Sequence, residues 1–255
     1  MTNTTISSIN VLYEKYYIKY CTDKQSALSF HTRRDLAKSA FEKLLLNGID
    51  FICLQEWSTD SLALIDLKDF DELSLLSAEK NMPAPTILFN HAKYEMISTS
   101  SIYLESSKGI CQGEFKSKIS NKILTVLSVH VPFSSNTVEY NYFYAALEKI
   151  VEALISTNAD FIIAGDFNSP SQFVEDVNTP IYKKLSKADF GEQGTCRTSR
   201  NEHKQFDHIL YYGNLKIENT SIEPKSMENL IPHNGKADSV THFSDHAIIT
   251  ASFHN

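Results

Sequence analysis

The sequence predicts an α/β fold built as one domain over residues 1–255. Short, near-continuous apolar runs of the buried-strand kind, such as Phe51-Ile52-Cys53-Leu54 and Phe161-Ile162-Ile163, alternate with two long segments of helical periodicity. A length of 255 residues fits one large α/β domain or two small ones and can bury a substantial core. No Gly/Ser-rich or Pro-rich linker, internal repeat or low-complexity segment divides the chain.

In chain order, residues 6–12 read as a first strand, followed by a polar stretch. Leu36, Ala37, Ala40, Phe41, Leu44 and Leu45 recur at helical spacing and predict a helix over 32–46, stopped by Asn47-Gly48. Residues 49–55 form a buried-type strand, and Ser58 is placed to cap a short helix over 59–66. Strands are expected over 86–89, 100–104, 110–116 and 122–130. A second long helix covers 137–156, with Tyr140, Phe143, Tyr144, Leu147, Ile150, Val151 and Leu154 on one side. Strands at 161–164, 206–211 and 247–253 complete the pattern. Residues 171–200 and 214–243 read as loop-rich.

Composition narrows the function. Hydrophobic residues make up 42%, which argues for a globular chain. A net charge of −7 argues against a uniformly basic surface for non-specific DNA binding. It leaves a nuclease open, because metal-binding carboxylates count as negative in a formal tally. Cys21, Cys53, Cys111 and Cys196 are widely spaced and form no CxxC pair, which disfavours a structural zinc site and a disulfide framework. The N-terminus has no signal-peptide pattern, and no apolar run approaches the ~20 residues that span a bilayer. A soluble, cytoplasmic protein that does not insert into membranes is expected.

The chemistry concentrates where apolar runs end. After Phe161-Ile162-Ile163 comes Ala164-Gly165-Asp166-Phe167-Asn168-Ser169. In an extended chain Asp166 and Asn168 face the same side, a pairing suited to a hard metal ion and the phosphate it holds. Asn10, Gln55-Glu56, His130, Asp207 and Ser244-Asp245-His246 also lie at or near predicted strand ends.

Ile9-Asn10-Val11, Cys53-Leu54-Gln55-Glu56, Ser128-Val129-His130, Gly165-Asp166-Phe167-Asn168, Phe206-Asp207-His208-Ile209 and Ser244-Asp245-His246 together resemble the motif set of the endonuclease/exonuclease/phosphatase (DNase I-like) superfamily, over nearly the whole chain. The resemblance implies a four-layer α/β sandwich, with two central, mostly antiparallel sheets flanked by helices. It also implies a metal-dependent phosphoric ester hydrolase using Mg²⁺ or Mn²⁺. Glu56 then supplies a hard carboxylate, Asn10 a neutral oxygen beside it, and Asp245 a further carboxylate at or behind the metal. His246 contacts the scissile phosphate or acts as base, and Asp207 orients its imidazole. Asp166 activates or orients the attacking water, Asn168 donates to a phosphoryl oxygen, and His130 contacts a non-bridging oxygen from the opposite side.

His31, His91, His203, His233, His242 and His254 read as solvated, and His208 as core. Arg197, Arg200 and Lys204 read as a phosphate grip or a solvated loop. Trp57, Phe133, Tyr140 and Phe167 read as a base-stacking wall or as packing.

The N-terminal third resembles CCR4-type deadenylases, through Ile9-Asn10-Val11-Leu12, the tyrosines from Tyr13 to Tyr20, and His31-Thr32-Arg33-Arg34 ahead of the helix. The last two motifs are equally close to retroelement endonucleases. His130-Val131-Pro132-Phe133 departs from the Tyr-x-Pro-Asn of AP endonucleases. Ile163 and Pro170 replace the Trp and Arg of the inositol 5-phosphatase motif.

The leading expectation is a Mg²⁺-dependent phosphodiesterase hydrolysing nucleic acid, RNA slightly ahead of DNA: a deadenylase-like 3′→5′ exoribonuclease or a DNase I-like endonuclease, acting as a monomer. The alternatives are an enzyme for small-molecule or lipid head-group phosphoesters, favoured by the negative charge, and a non-catalytic binding module on the same fold.

Overall fold

The computed structural model describes residues 3–20, 28–59, 63–76, 83–104, 107–169, 182–198, 200, 202–231, 240 and 242–254. Strands β1 (Asn3–Asn10), β2 (Phe51–Trp57), β3 (Leu73–Leu76), β4 (Ala84–Asn90), β13 (Lys216–Glu223) and β14 (Ile248–His254) form one six-stranded sheet, ordered β13-β14-β1-β2-β4-β3. Strands β5 (Tyr94–Tyr103), β6 (Gly109–Ser117), β7 (Ile123–His130), β8 (Phe161–Asp166), β9 (Ser186–Lys187) and β12 (Asp207–Tyr212) form the second, ordered β5-β6-β7-β8-β12-β9. β10 (Cys196–Arg197) and β11 (His203–Lys204) make a small separate hairpin.

Both sheets follow one plan. Each has a single parallel pair, β1/β2 or β7/β8, and every other pairing is antiparallel. A parallel pair needs a long crossover. Helices α1 (Glu14–Tyr20) and α2 (Phe30–Leu46) supply the first, and α3 (Thr137–Ser156) the second.

Strand periodicity then sets the layers. Ile6 of β1, Phe51 and Cys53 of β2, Val126 of β7, Ile162 and Ala164 of β8, and Ile209 of β12 share one buried cluster between the sheets. Ile9, Ile52 and Leu54 point the other way, onto Ala37 and Phe41 of α2. Leu127, Val129, Ile163 and Leu210 likewise meet Phe143, Leu147 and Val151 of α3. The result is the helix/sheet/sheet/helix sandwich. Continuing the two-residue period, the next inward positions are Ser8 and Asn10, Gln55, Ser128 and His130, Asp166 and Asp207. The space between the sheets therefore turns from apolar to polar toward one end.

Several elements differ from expectation. The helix over 59–66 does not form at 63–66, and 60–62 lie outside the described residues. Asp66 instead caps a 3₁₀ turn, Leu67–Asp69, by accepting from Lys68 N, a local bond that competes with helix. Leu64 and Ile65 pack into the α2 layer. The 214–243 segment contains β13, an edge strand whose residues are mostly exposed and which carries no apolar alternation. β9 and β10 lie within the other segment read as loop, and β11 just after it. α1 has only seven residues and is held by tertiary bonds rather than propensity.

Arg33 is the clearest such tie. Its guanidinium is fully buried, pairs with Glu14 at 2.5 Å, and donates to the carbonyls of Leu12 (2.7 Å) and Phe243 (3.0 Å). The tie joins the loop after β1 to the loop before β14. Removing one partner of a buried pair strands the other charge. Arg33→Met is expected to lower unfolding free energy by about 3–5 kcal/mol, read from urea midpoints. A loss under about 1 kcal/mol would contradict this account.

Candidate active site

The last rung of the second sheet lines up Gly109, His130, Asp166 and Asp207 across β6, β7, β8 and β12. Residues sharing a rung share a face, so one imidazole and two carboxylates converge at the polar end. Gly165 permits the close β7/β8 approach, since a Cβ there would lie 2.0 Å from the Val129 carbonyl oxygen. Asp166 Oδ1 accepts from Asn168 N at 2.8 Å, and Oδ2 from Asn10 Nδ2 at 3.1 Å. The second of these bonds crosses from one sheet to the other.

The first sheet brings Asn10, at the end of β1, and Glu56, at a bulge in β2 with φ of 59°. Glu56 accepts from Asn10 Nδ2 (3.2 Å) and Tyr13 N (3.2 Å). The 244–246 loop is pinned by Ser244 Oγ, which donates to the Asn10 carbonyl at 2.6 Å and accepts from His246 N at 3.1 Å. His246 Nδ1 donates to Asp207 Oδ2 at 2.9 Å, and its Nε2 lies 3.8 Å from Asp166 Oδ2. Thr195 Oγ1 anchors the start of β12 by accepting from Asp207 N at 2.9 Å.

Burial alone would raise the Asp166 carboxyl, but His246, His130 and Lys108 hold it well below the usual carboxylate range. Burial would likewise neutralise His246, yet Asp207 first and then Asp166 carry its imidazolium well above the ordinary histidine value. Asp207, sealed beneath that ring, is pushed up to about 6 by burial against the pull of His246. Burial and Lys108 lower His130. Its Nδ1–H is given to the Ser107 carbonyl (3.1 Å), and Nε2 faces Lys108 Nζ. The free site thus sets an imidazolium beside an anionic Asp166.

Asn10, Glu56, His130, Asp166, Asn168, Asp245 and His246 all line one cleft of ≈ 850 Å³, and Asp207 lies beneath it, behind His246. Three details depart from the sequence reading. Asn168 is not in extended chain with Asp166. It takes a left-handed turn (φ 48°), which returns its N–H to Asp166 and sends Nδ2 to the Val131 carbonyl at 2.8 Å. Asn10 turns its amide nitrogen, not its oxygen, toward Glu56 and Asp166, because two carboxylates draw the donor end; the oxygen accepts from Leu12 N. His242, read as solvated, is buried and stacked on Phe243, and burial pulls it down to about 4.

Among the aromatics, Trp57 and Phe167 are buried packing residues, while Phe133 stands exposed at the cleft. Arg197, Arg200 and Lys204, from the β10–β11 hairpin, line a cleft wall. Lys108 was missed by the sequence reading. It is buried, faces His130, and lies 4.9 Å from the Phe133 ring centroid. The hairpin register sets Gly109 opposite His130 and so delivers the preceding lysine to the site, a placement with no local sequence signal.

The model of the endonuclease/exonuclease/phosphatase family matches residues 9–246. The chain belongs to that family. Among solved structures, an endonuclease/exonuclease/phosphatase from Bacteroides vulgatus superposes with a TM-score of 0.70 at 14% identity, covering 100% of this chain and 99% of that one. D. rerio TDP2 complexed with single strand DNA product gives 0.70 at 14% identity, covering 100% of each chain. The human Nocturnin catalytic domain with bound sulfate anion gives 0.64 at 14%, covering 99% and 93%. At such identities the likeness is one of fold. No curated protein sequence matches the chain. No described helix is long and apolar enough to cross a membrane.

His208, on the outward side of β12, offers a test of the electrostatics outside the cleft. Burial lowers it to about 3. An unfolded histidine titrates near 6.5, so below that pH the unfolded chain binds a proton the folded one refuses, and stability falls as pH falls. Relative to His208→Gln, the wild type is expected to lose roughly 2–3 kcal/mol between pH 7 and 4.5 in urea titrations with EDTA. Parallel pH profiles would contradict it.

Proposed function

We propose that this protein is a Mg²⁺- or Mn²⁺-dependent phosphodiesterase acting on nucleic acid, with 3′→5′ exoribonuclease action ahead of endonuclease action. One observation carries the reading: an anionic, buried Asp166 beside the His246 imidazolium, at the floor of a cleft large enough for more than one phosphate and walled on one side by Arg197, Arg200 and Lys204. The complex of D. rerio TDP2 with single strand DNA product supports a nucleic-acid substrate on this fold.

The donor set fits a hard dication. Glu56, Asp166, Asp207 and Asp245 bring four carboxylates to one end of the sandwich, against Lys108 and His246. Oxygen ligands and excess negative charge suit Mg²⁺ or Mn²⁺. Glu56 would hold the ion, with Asn10 beside it and Asp245 supporting. When bound, it supplies charge neutralisation to the phosphoryl oxygens.

The remaining steps belong to the chain. His246 enters the reaction protonated, so its part is to hold charge on a phosphoryl oxygen rather than to take the first proton. Asp207 fixes the ring by accepting from Nδ1–H, which aims Nε2 into the cleft. Asp166, kept ionised, accepts a hydrogen bond from the attacking water and orients it. Asn168 N–H fixes that carboxylate. Lys108 faces the phosphate from the opposite side as a preorganised donor, held in place by His130 Nε2, which accepts from its ammonium.

A second reading, hydrolysis of a small phosphoester, is favoured by the net charge of −7 and by Glu139 and Glu202 on the cleft walls. Incubation with poly(A), single-stranded DNA and plasmid in Mg²⁺, beside nucleotides, inositol phosphates and lipid head groups, separates the two. Turnover of a small ester alone would defeat the polymer reading.

His246→Ala is expected to lower kcat by roughly 10²–10⁴-fold, with little recovery by added Mg²⁺. Glu56→Ala should recover part of its activity as Mg²⁺ rises. Equal and complete rescue of both variants would overturn the separate roles. Lys108→Met should lower kcat about 10–10³-fold, as loss of one charge-stabilising donor does, while unfolding cooperatively. Wild-type kcat in that variant would remove Lys108 from the chemistry.

A further inference from the structure

We propose that Cys196, Asp245 and His246 form a second cation site, selective for a borderline-soft dication such as Zn²⁺, whose occupation blocks the hydrolytic site. The inhibitory half of this statement rests on the part given to His246 above; the binding half does not.

The site comes from backbone pairing. Cys196 stands opposite His246 in an isolated antiparallel bridge. The flanking bonds, Arg197 N to Asp245 O at 2.8 Å and Ala247 N to Thr195 O at 2.7 Å, make this the narrow, non-hydrogen-bonded kind of pair, whose side chains are closest. The thiol, the Asp245 carboxylate and a His246 ring nitrogen lie within 4.8 Å of one another. All three residues are buried, yet line the cleft floor within reach of an ion.

The donor chemistry selects the ion. One sulfur, one imidazole nitrogen and one carboxylate oxygen make a three-ligand zinc set with a fourth position for water. Mg²⁺ demands oxygen ligands and gains nothing from the sulfur. The supporting contact is already present: Asp207 holds Nδ1–H at 2.9 Å, the carboxylate–histidine arrangement that orients a zinc-bound imidazole through Nε2. Burial keeps the Cys196 thiol protonated, so without metal it is an unreactive side chain. Uptake of an ion forms metal–sulfur and metal–nitrogen bonds and releases the Sγ and Nε2 protons to water. Nothing is oxidised or reduced. The ion then occupies the Nε2 face that the phosphoryl oxygen needs.

Co²⁺ added to metal-stripped protein tests this. A thiolate-to-cobalt charge-transfer band in the near ultraviolet should saturate near one equivalent and be displaced by Zn²⁺. The band should vanish in Cys196→Ser, weaken at least tenfold in apparent affinity in Asp245→Asn, and persist in Cys21→Ser. With Mg²⁺ in excess, Zn²⁺ should inhibit hydrolysis, and Cys196→Ser should need roughly 100-fold more, beyond the 10–100-fold typical of an outer-shell loss. No band in the wild type, or an unchanged band in Cys196→Ser, overturns the site. If Cys196→Ser unfolds, the wild-type spectrum and Asp245→Asn decide. Zinc bound at Cys196 with full hydrolysis retained would uphold the binding and overturn the inhibition, and with it the part given to His246. A protein that hydrolyses nothing in the panel still answers the cobalt question.

Discussion

Burying the Asp166 carboxylate is the constraint that organises this molecule. An ionised group in a low-dielectric interior persists only when paired and hydrogen-bonded. Here its partners come from both sheets: Asn10 from the end of β1, His246 from the loop before β14, and Lys108, His130 and Asn168 N–H from the second sheet. Neither sheet alone could keep Asp166 ionised. The packing of the sandwich and the charge state of the site are therefore one problem with one solution. This also explains why the polar end is built from strand termini: hydrogen-bond ladders fix the side chains there, and the cleft still leaves them within reach of substrate.

The rest of the fold prepares that end. Inward positions run from Phe51, Ile162 and Val126 to Gln55, Asp166 and His130, so the region that drives sheet association lies away from the region that does chemistry. Gln55 Nε2 donates across to Ser128 Oγ of the other sheet at 3.2 Å and to Ser8 Oγ of its own sheet at 3.3 Å, a polar layer between the two regions. Arg33 performs the matching task at the rim, joining the segments that follow Asn10 and precede Ser244. Its position in the His31-Thr32-Arg33-Arg34 stretch is thus a positioning one, buried rather than facing substrate.

What could be read from the sequence follows a physical division. Long helices with strong periodicity were legible almost to the residue: 137–156 coincides with α3, and 32–46 lacks only Phe30 and His31 of α2. Apolar strands ending in polar residues were legible because period two continues into the site. β13 was not, because an exposed edge strand needs no alternation, and neither was α1, which depends on Arg33. Lys108 was invisible for a different reason. Its placement is set by β6–β7 register, a long-range fact that no local pattern encodes. Asn168 reached the cleft through a left-handed turn, so the extended-chain argument found the right residue by the wrong geometry. His242 shows the converse error, since a polar neighbourhood in sequence proved to be a buried one in space.

Chemistry and substrate choice are separable in this architecture. The floor is held by ladder bonds and buried pairs, which tolerate little change. The walls come from the β10–β11 hairpin and the start of α3, which contribute Arg197, Arg200, Lys204 and Glu139. Their cations are partly engaged: Lys204 lies 3.4 Å from Glu202, and Arg197 3.8 Å from Glu228. The half-exposed Lys204–Glu202 pair is worth little, about 0–1 kcal/mol, and a phosphate can outcompete that carboxylate at small cost. A wall that exchanges an acidic side chain for a phosphate can hold a polyanion without carrying a strongly basic surface, so a net charge of −7 is compatible with the nucleic-acid substrate proposed above.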